Sequence, residues 1–242
     1  SQYNLGNMYQ KGEGVKQSFK NAKIAFKKTA DQGHADEQYK LGALYQMGQG
    51  VKQSFSTAKK LFEKAAKQDF AKAQNSLGAM YAGAEGIRQN YTQAKKWFEK
   101  AAGKGNAGAQ YNLGNMYYKG EGVDKNLKEV VEWWGKAAKQ GHEYAQNMLG
   151  HMYFHGVINS NGPGIPKDYK KGKELLEKAA SQGNAQAQNT LGGMYYQGIG
   201  VKLNYTQAKA LFEQASNKGN QEAQHNLGVI YEKGRGVDKD FK

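Results

Sequence analysis

His151 and His155 stand four residues apart in the stretch HMYFHGVINSNGPG, residues 151–164. On a helix that spacing puts both imidazoles on one face, where they could bind a metal or move a proton. A metal needs a third ligand, however. No acidic residue lies nearby in sequence, and His225 is about two repeats away, so no metal site is expected. Ser56 and Lys59 match the Ser-x-x-Lys of penicillin-binding enzymes, but the accompanying Ser-Asp-Asn and Lys-Thr-Gly motifs are absent. Gly-x-Gly pairs such as Gly120 and Gly122 could cradle phosphate only after a strand and before a helix N-terminus. Asn90-Tyr-Thr92 and Asn204-Tyr-Thr206 are formal glycosylation sequons. There is no carboxylate pair, no triad and no cysteine, so disulfides and Cys-ligated zinc or iron–sulfur sites are excluded. No catalytic residue and no cofactor are expected.

The elements that must hold these residues form a repeat. Leu-Gly occurs at Leu5, Leu41, Leu77, Leu113, Leu149, Leu191 and Leu227, always 36 residues apart except for 42 between Leu149 and Leu191. Around Leu113, the residues Ala109, Met116 and Tyr117 fall on the same face of a 3.6-residue period and predict a first helix, helix A. Gly114 lets a neighbouring helix approach closely, and a Gly-x-Gly-Val turn follows. Helix B then starts after a capping residue at one fixed register: Ser18, Ser54, Asn90, Asn126, Asp168, Asn204 and Asp240. That register accounts for both sequons. Helix B stops at Gly33, Gly105, Gly141, Gly183 or Gly219, with Asp69 in the same place once. Methionines 8, 80, 116, 152 and 194 recur on the core face of helix A, and Trp97, Trp133 and Trp134 are expected in the core through helix B.

A 36-residue helix pair cannot bury its own core, whereas stacked copies can. The expectation is an all-α fold, an α/α solenoid or superhelix of helix-turn-helix repeats forming one repeat domain over 1–242. Its parts are a partial repeat 1–33, repeats 34–69, 70–105, 106–141, 142–183 and 184–219, and a partial repeat 220–242. Residues 157–162 are a six-residue insertion in the fifth of these segments, which explains the 42-residue spacing. Both ends fall inside a repeat, which suggests a fragment of a longer array.

Leu-Gly-x-x-Tyr, then Gly-x-Gly-Val, then Trp/Leu-Phe-x-Lys-Ala-Ala-x-x-Gly resembles the Sel1-like repeat, a relative of the tetratricopeptide repeat, over essentially the whole chain. Local departures are Ala84 for the first turn glycine of the third repeat and Trp133-Trp134-Gly135 near the end of the fourth helix B. The resemblance implies a non-enzymatic adaptor in protein–protein assembly, in bacteria often with envelope or host-interaction roles. It favours a periplasmic or secreted location and leaves a cytoplasmic one open. Some cysteine-rich relatives have been linked to β-lactam chemistry, which makes a β-lactam or peptidoglycan hydrolase the rival class. An inhibitor or immunity-type protein gripping one folded partner is the other alternative.

By analogy with tetratricopeptide solenoids, one face of helix A lines a concave groove. Counted from each Leu, offset −2 carries Tyr3, Tyr39, Asn75, Tyr111, Asn147, Asn189 and His225. Offset +2 carries Asn7, Asn115 and His151 among small residues, and offset +5 carries Tyr118, Phe154 and Tyr196; His155 follows at +6. These residues form the candidate partner-binding groove: tyrosines give rigid contact area, and asparagine amides both donate to and accept from a bound backbone. The insertion beside His151 is the expected seat of specificity.

The net charge of +14 attracts acidic partners. Its lysines are spread over helix B with Glu nearby and without interleaved aromatics, so specific nucleic-acid recognition is not expected. No run is long and apolar enough for a membrane span. The expected partner is a protein or peptide, preferentially acidic.

Overall fold

A computed structural model of the chain describes residues 2–83, 86–158 and 163–236, with side chains from Asn4 onward. The chain is an all-α solenoid of helix pairs, and its described residues form two compact units, 1–125 and 126–242. The first unit holds α1 (Gln2–Lys11), α2 (Phe19–Ala30), α3 (Ala35–Met47), α4 (Phe55–Lys67), α5 (Ala71–Gly83), α6 (Tyr91–Gly103) and α7 (Ala107–Lys119). The second holds α8 (Leu127–Lys139), α9 (Glu143–His155), α10 (Tyr169–Ser181), α11 (Ala185–Gln197), α12 (Tyr205–Ser216) and α13 (Gln221–Glu232). Odd-numbered helices are helix A of each repeat and even-numbered ones helix B. No strand occurs among the described residues.

Helix starts follow the capping register. The side chains of Ser18, Ser54, Asn90, Asn126, Asp168 and Asn204 each accept a backbone N–H three residues on. Each such cap stabilises its helix by about 1 kcal/mol. Asp240 lies outside the described residues. Cap backbones also close the turn: Ser54 N–H donates to the Tyr45 carbonyl at 2.9 Å, and Asp168 N–H to the Tyr153 carbonyl at 2.8 Å. Helix A has its own caps, which sequence reasoning missed: Asn106, Asn184 and Asn220 through a side-chain oxygen, and His142 through Nδ1. Asp69 ends α4 with φ 63°, the one non-glycine in the left-handed region among the described residues.

The core alternates helix-A Leu and Met with helix-B Ala and Phe. Leu77, Met80, Phe62 and Ala65 are fully buried together, and Phe26, Phe98, Phe212, Leu176 and Trp134 hold the equivalent helix-B position elsewhere. Burying each large side chain contributes roughly 1.5–3 kcal/mol. Close approach comes from the helix-A glycine: a Cβ on Gly78 would sit 2.5 Å from the Phe98 ring, and one on Gly42 2.7 Å from Phe62. Trp97 and Trp133 meet the core expectation only in part, although Trp97 packs against the core cluster of α4 and α5. Both are half-exposed, with Lys100 and Lys136 ammonium groups 4.9 and 4.2 Å from their ring centroids. They sit one residue before the buried Phe98 and Trp134, about 100° around the helix, so each ring is half-buried and keeps an exposed part beneath a cation.

A second recurring feature is polar. Gln38, Gln74, Gln110, Gln146 and Gln188 are buried, and each donates Nε2 to the carbonyl of Ala30, Ala66, Ala102, Ala138 or Ala180 in the preceding helix B. Those carbonyls lie in the last turn of their helices, and each already accepts the backbone N–H three residues on, from Gly33, Asp69, Gly105, Gly141 or Gly183. The glutamine takes the second lone pair of the carbonyl and so joins consecutive repeats.

The insertion leaves this frame intact. Val157 and Ile165 exchange N–H···O bonds of 2.8 Å in an isolated antiparallel bridge, which ties off the loop and returns the chain to Asp168. Gly156 leaves α9 at φ 69° and ψ 163°, whereas Gly198 leaves α11 at φ 70° and ψ 27°, so the chain departs from α9 in a different direction at Val157. Residues 159–162 of the insertion lie outside the described residues.

Candidate functional site

In the first unit most groove candidates are engaged locally. Tyr39 is half-buried, with its ring 5.6 Å from Phe62 and 5.5 Å from Phe70. Asn7 Oδ1 accepts from Lys40, and Asn75 Oδ1 accepts from Asn112 Nδ2 at 3.0 Å. Tyr111 and Asn115 are half-buried and Tyr118 is exposed. The Tyr3 side chain lies outside the described residues.

In the second unit the candidates surround a cavity of about 380 Å³. Helix α9 supplies His151, Phe154 and His155; α11 supplies Gln186, Asn189, Thr190, Gly193, Tyr196 and Gln197; α13 supplies Glu222, Asn226 and Val229; and Phe212 of α12 closes the set. Five of the predicted residues, His151, Phe154, His155, Asn189 and Tyr196, are thus brought together. His225 is exposed and does not line the cavity. Gln186, Glu222, Thr190 and Asn226 were missed by sequence reasoning. Gln186 and Glu222 sit three positions before the offset −2 residues Asn189 and His225, and Thr190 and Asn226 one position after them, so the 3.6-residue period could have placed them on the flanks of that row.

The floor is open because Gly193 lacks a side chain; a Cβ there would meet nothing within 4 Å. The imidazoles of His151 and His155 stack with centroids 4.2 Å apart, and Phe154 meets His155 edge-on at 4.7 Å. His151 stands on the exposed rim, yet enough protein surrounds it that desolvation lowers its pKa, helped by the like charge of His155 and opposed by Glu222. The tip of Tyr196 accepts from Arg235 at 3.0 Å, and its ring lies 5.4 Å from Tyr205.

Asparagine pairing differs along the cavity wall. Asn189 Oδ1 accepts from Asn226 Nδ2 at 3.0 Å, as Asn75 does from Asn112. The corresponding rung between α9 and α11 is missing. Asn147 is only 8% exposed and its Oδ1 has no partner. The residue that should donate to it is Thr190, whose hydroxyl instead donates to the Gln186 carbonyl at 3.0 Å.

Lys59 forms an ion pair with Glu63 at 3.4 Å, and its pKa is raised by a hydrogen bond to Tyr81, against the lowering effect of burial, with Glu63 adding to the rise. A lysine held as a cation is a poor base for Ser56. Among the described residues no three His, Asp or Glu side chains are disposed to hold a metal ion. No described helix is long and apolar enough to cross a membrane.

The Sel1 repeat matches residues 1–34, 38–70, 71–106, 107–142, 143–184, 185–220 and 221–242. The chain belongs to the Sel1 repeat family. Among curated protein sequences none matches significantly. Among solved structures it is similar to c5321, a protective antigen present in uropathogenic Escherichia coli strains, at 35% identity and TM-score 0.81, covering 99% of this chain and 50% of that one. It is similar to a Sel1 repeat protein of Oxalobacter formigenes at 33% identity and TM-score 0.83, covering 95% of this chain and 64% of that one. The Sel1 chain described here therefore spans half to somewhat under two thirds of these relatives. It shares its fold with the immunity protein PA5088 of Pseudomonas aeruginosa, at 20% identity and TM-score 0.61 over 91% of this chain and 81% of that one. Sel1 repeat proteins generally mediate protein–protein interaction and are typically non-catalytic.

Proposed function

We propose that this Sel1 chain is a binding scaffold that holds a peptide or an extended protein segment against its helix-A face, with the second-unit cavity as the principal seat. The observation that carries this reading is the cavity itself, which three consecutive helices A build from Phe154 and Tyr196 together with Asn189, Asn226, Gln186 and Gln197. Aromatic rings supply rigid contact area, and amides can donate to and accept from a peptide backbone. Glu222 is the one acidic residue of the lining, and no lysine or arginine contributes. A site of this chemistry recognises backbone and apolar side chains more than charge. Within the first unit, Tyr111, Asn115 and Tyr118, with Asn7, Tyr39 and Asn75, are lesser candidate contacts on that unit's own helices A.

Selection of peptides from a displayed random library on the wild-type protein and on Gly193→Trp tests the proposal. The indole would fill the open floor without meeting a neighbour at its Cβ. Peptides enriched on the wild type should lose at least tenfold in affinity on the variant while its helicity and melting are kept. Retained affinity removes the cavity from the function. A folded partner gripped over a broad face would instead tolerate Gly193→Trp and also Tyr111→Ala with Tyr118→Ala, each taken singly.

A further inference from the structure

Four helices B carry the same surface ion pair at i and i+4: Lys59–Glu63 in α4 at 3.4 Å, Lys95–Glu99 in α6 at 3.1 Å, Lys173–Glu177 in α10 at 2.8 Å and Lys209–Glu213 in α12 at 3.7 Å. In α8 the two positions are Val131 and Gly135. The pair is deleted, and a Cβ at Gly135 would meet nothing within 4 Å. Beside it, between α8 and α10, lies a cavity of about 390 Å³ floored by Val131, Ala138, Leu149, Tyr153 and Leu175. It shares no lining residue with the helix-A cavity.

The next repeat of the same unit supplies an internal control. Between α10 and α12 the equivalent cavity measures about 180 Å³. Glu177 stands there in place of Gly135, Ser181 in place of Lys139, Gln207 in place of Lys171 and Gln214 in place of Lys178. Position by position, the α8–α10 cavity has lost a neutral Lys–Glu pair (Lys173 and Glu177 in the neighbour) and gained three positive charges, while its volume has doubled. Lys171 hydrogen-bonds the Tyr153 hydroxyl at 2.7 Å, and Lys136 pairs with Glu132 at 2.7 Å. Lys139 and Lys178 make no ion pair among the described residues.

We propose that the α8–α10 cavity is a second docking site, which takes an aromatic or branched aliphatic side chain from a partner segment with carboxylates on either side of it. The apolar floor receives the side chain, and Lys139, Lys171 and Lys178 meet the carboxylates. Charge complementarity selects this occupant: a basic or neutral segment would leave three ammonium groups unmatched around a desolvated contact.

The test uses a synthetic peptide, Asp-Glu-Phe-Glu-Asp with blocked ends, titrated into the whole chain and followed by amide chemical shifts. Wild type should bind in the millimolar range or tighter, with shifts centred on α8 and α10 and affinity falling as salt rises. Val131→Lys/Gly135→Glu restores the ion pair of the other repeats and removes a glycine from the helix, so it should melt at or above the wild type while affinity falls at least tenfold. Gly193→Trp should bind this peptide as wild type does, which separates the two sites. The proposal is overturned by absence of binding at millimolar peptide, by undiminished binding to the double variant, or by equal binding of a peptide with alanine for phenylalanine.

Discussion

Two adjacent glycines in α11, Gly192 and Gly193, should respond to alanine with opposite signs. Both lie in the helix interior, where alanine is favoured over glycine by about 0.8–1.0 kcal/mol. At Gly193 nothing lies within 4 Å of the added methyl, so the substitution should stabilise by about that amount. At Gly192 the methyl would sit 2.6 Å from Cε1 of Phe212, whose ring is buried and held between α11 and α13. Phe212 cannot swing away without opening that core, and inserting a methyl into such packing costs about 1–3 kcal/mol. Helix propensity cancels between the two variants, so their difference isolates the steric cost at about 1–3 kcal/mol. In a chain of this size that corresponds to roughly 2–12 °C in melting temperature. Thermal melts followed by circular dichroism at 222 nm measure it directly. If Gly192→Ala melts as high as Gly193→Ala, close packing of helix A on helix B is not what the glycine serves.

Thr190→Asn should supply the missing donor to Asn147 and raise stability by about 0.5–1.5 kcal/mol, read as a shift in the urea midpoint; no shift would mean that the asparagine rungs do not join repeats. His142 caps α9 with Nδ1 as acceptor and so must be unprotonated there, and burial lowers its pKa from 6.5, with Glu143 opposing. The folded state then disfavours the charged form, so the cap's contribution is complete above pH 6.5 and is lost as the pH falls through the lowered value. His142→Asn, which matches Asn106, Asn184 and Asn220, should abolish that part of the acid sensitivity in melts between pH 7 and 5. Asp69→Gly should relieve a left-handed residue and raise stability by at most about 1 kcal/mol, since the exposed Lys104–Asp69 pair it removes is worth little; a lower melting temperature would contradict this account.

The fold was legible because the repeat states each constraint several times over. Seven capping residues at one register leave little freedom to misplace helix B, and the lone Asp69 could be read as a left-handed position because five glycines occupy the same place elsewhere. The site was less legible, for a reason visible in Tyr39 and Asn75. A 3.6-residue period assigns a residue to a face, yet it does not say whether the next repeat will cover that face. Phe62 and Phe70 cover Tyr39, and Asn112 takes up Asn75. Trp97 and Trp133 are half-buried where the sequence suggests full burial: Trp97 packs on the core of α4 and α5, and in both a lysine lies across the exposed part of the ring. The α8–α10 cavity has a sequence signal, the loss of a Lys–Glu pair at Val131 and Gly135, which becomes visible only when repeats are aligned on that pair.

Three residues of the second unit carry a cost in stability that the fold does not require. Gly135 inside α8 is worse than alanine by about 1 kcal/mol, and the lost i,i+4 pair forgoes a further ~0.3–0.5 kcal/mol. Asn147, left buried with an unpaired oxygen, costs about 1–3 kcal/mol. Gly193 costs about as much as Gly135, without the close approach that justifies Gly192. Gly193 and Thr190 line one opening of the second unit, Val131 and Gly135 the other, and Asn147 lies one helical turn before His151. Comparable penalties also occur away from them: Asp69 is left-handed in the first unit, and Gln74 Oε1 and Gln188 Oε1 are buried without a partner. The departures beside the two openings therefore support the proposed binding sites through their position, and not through their cost alone.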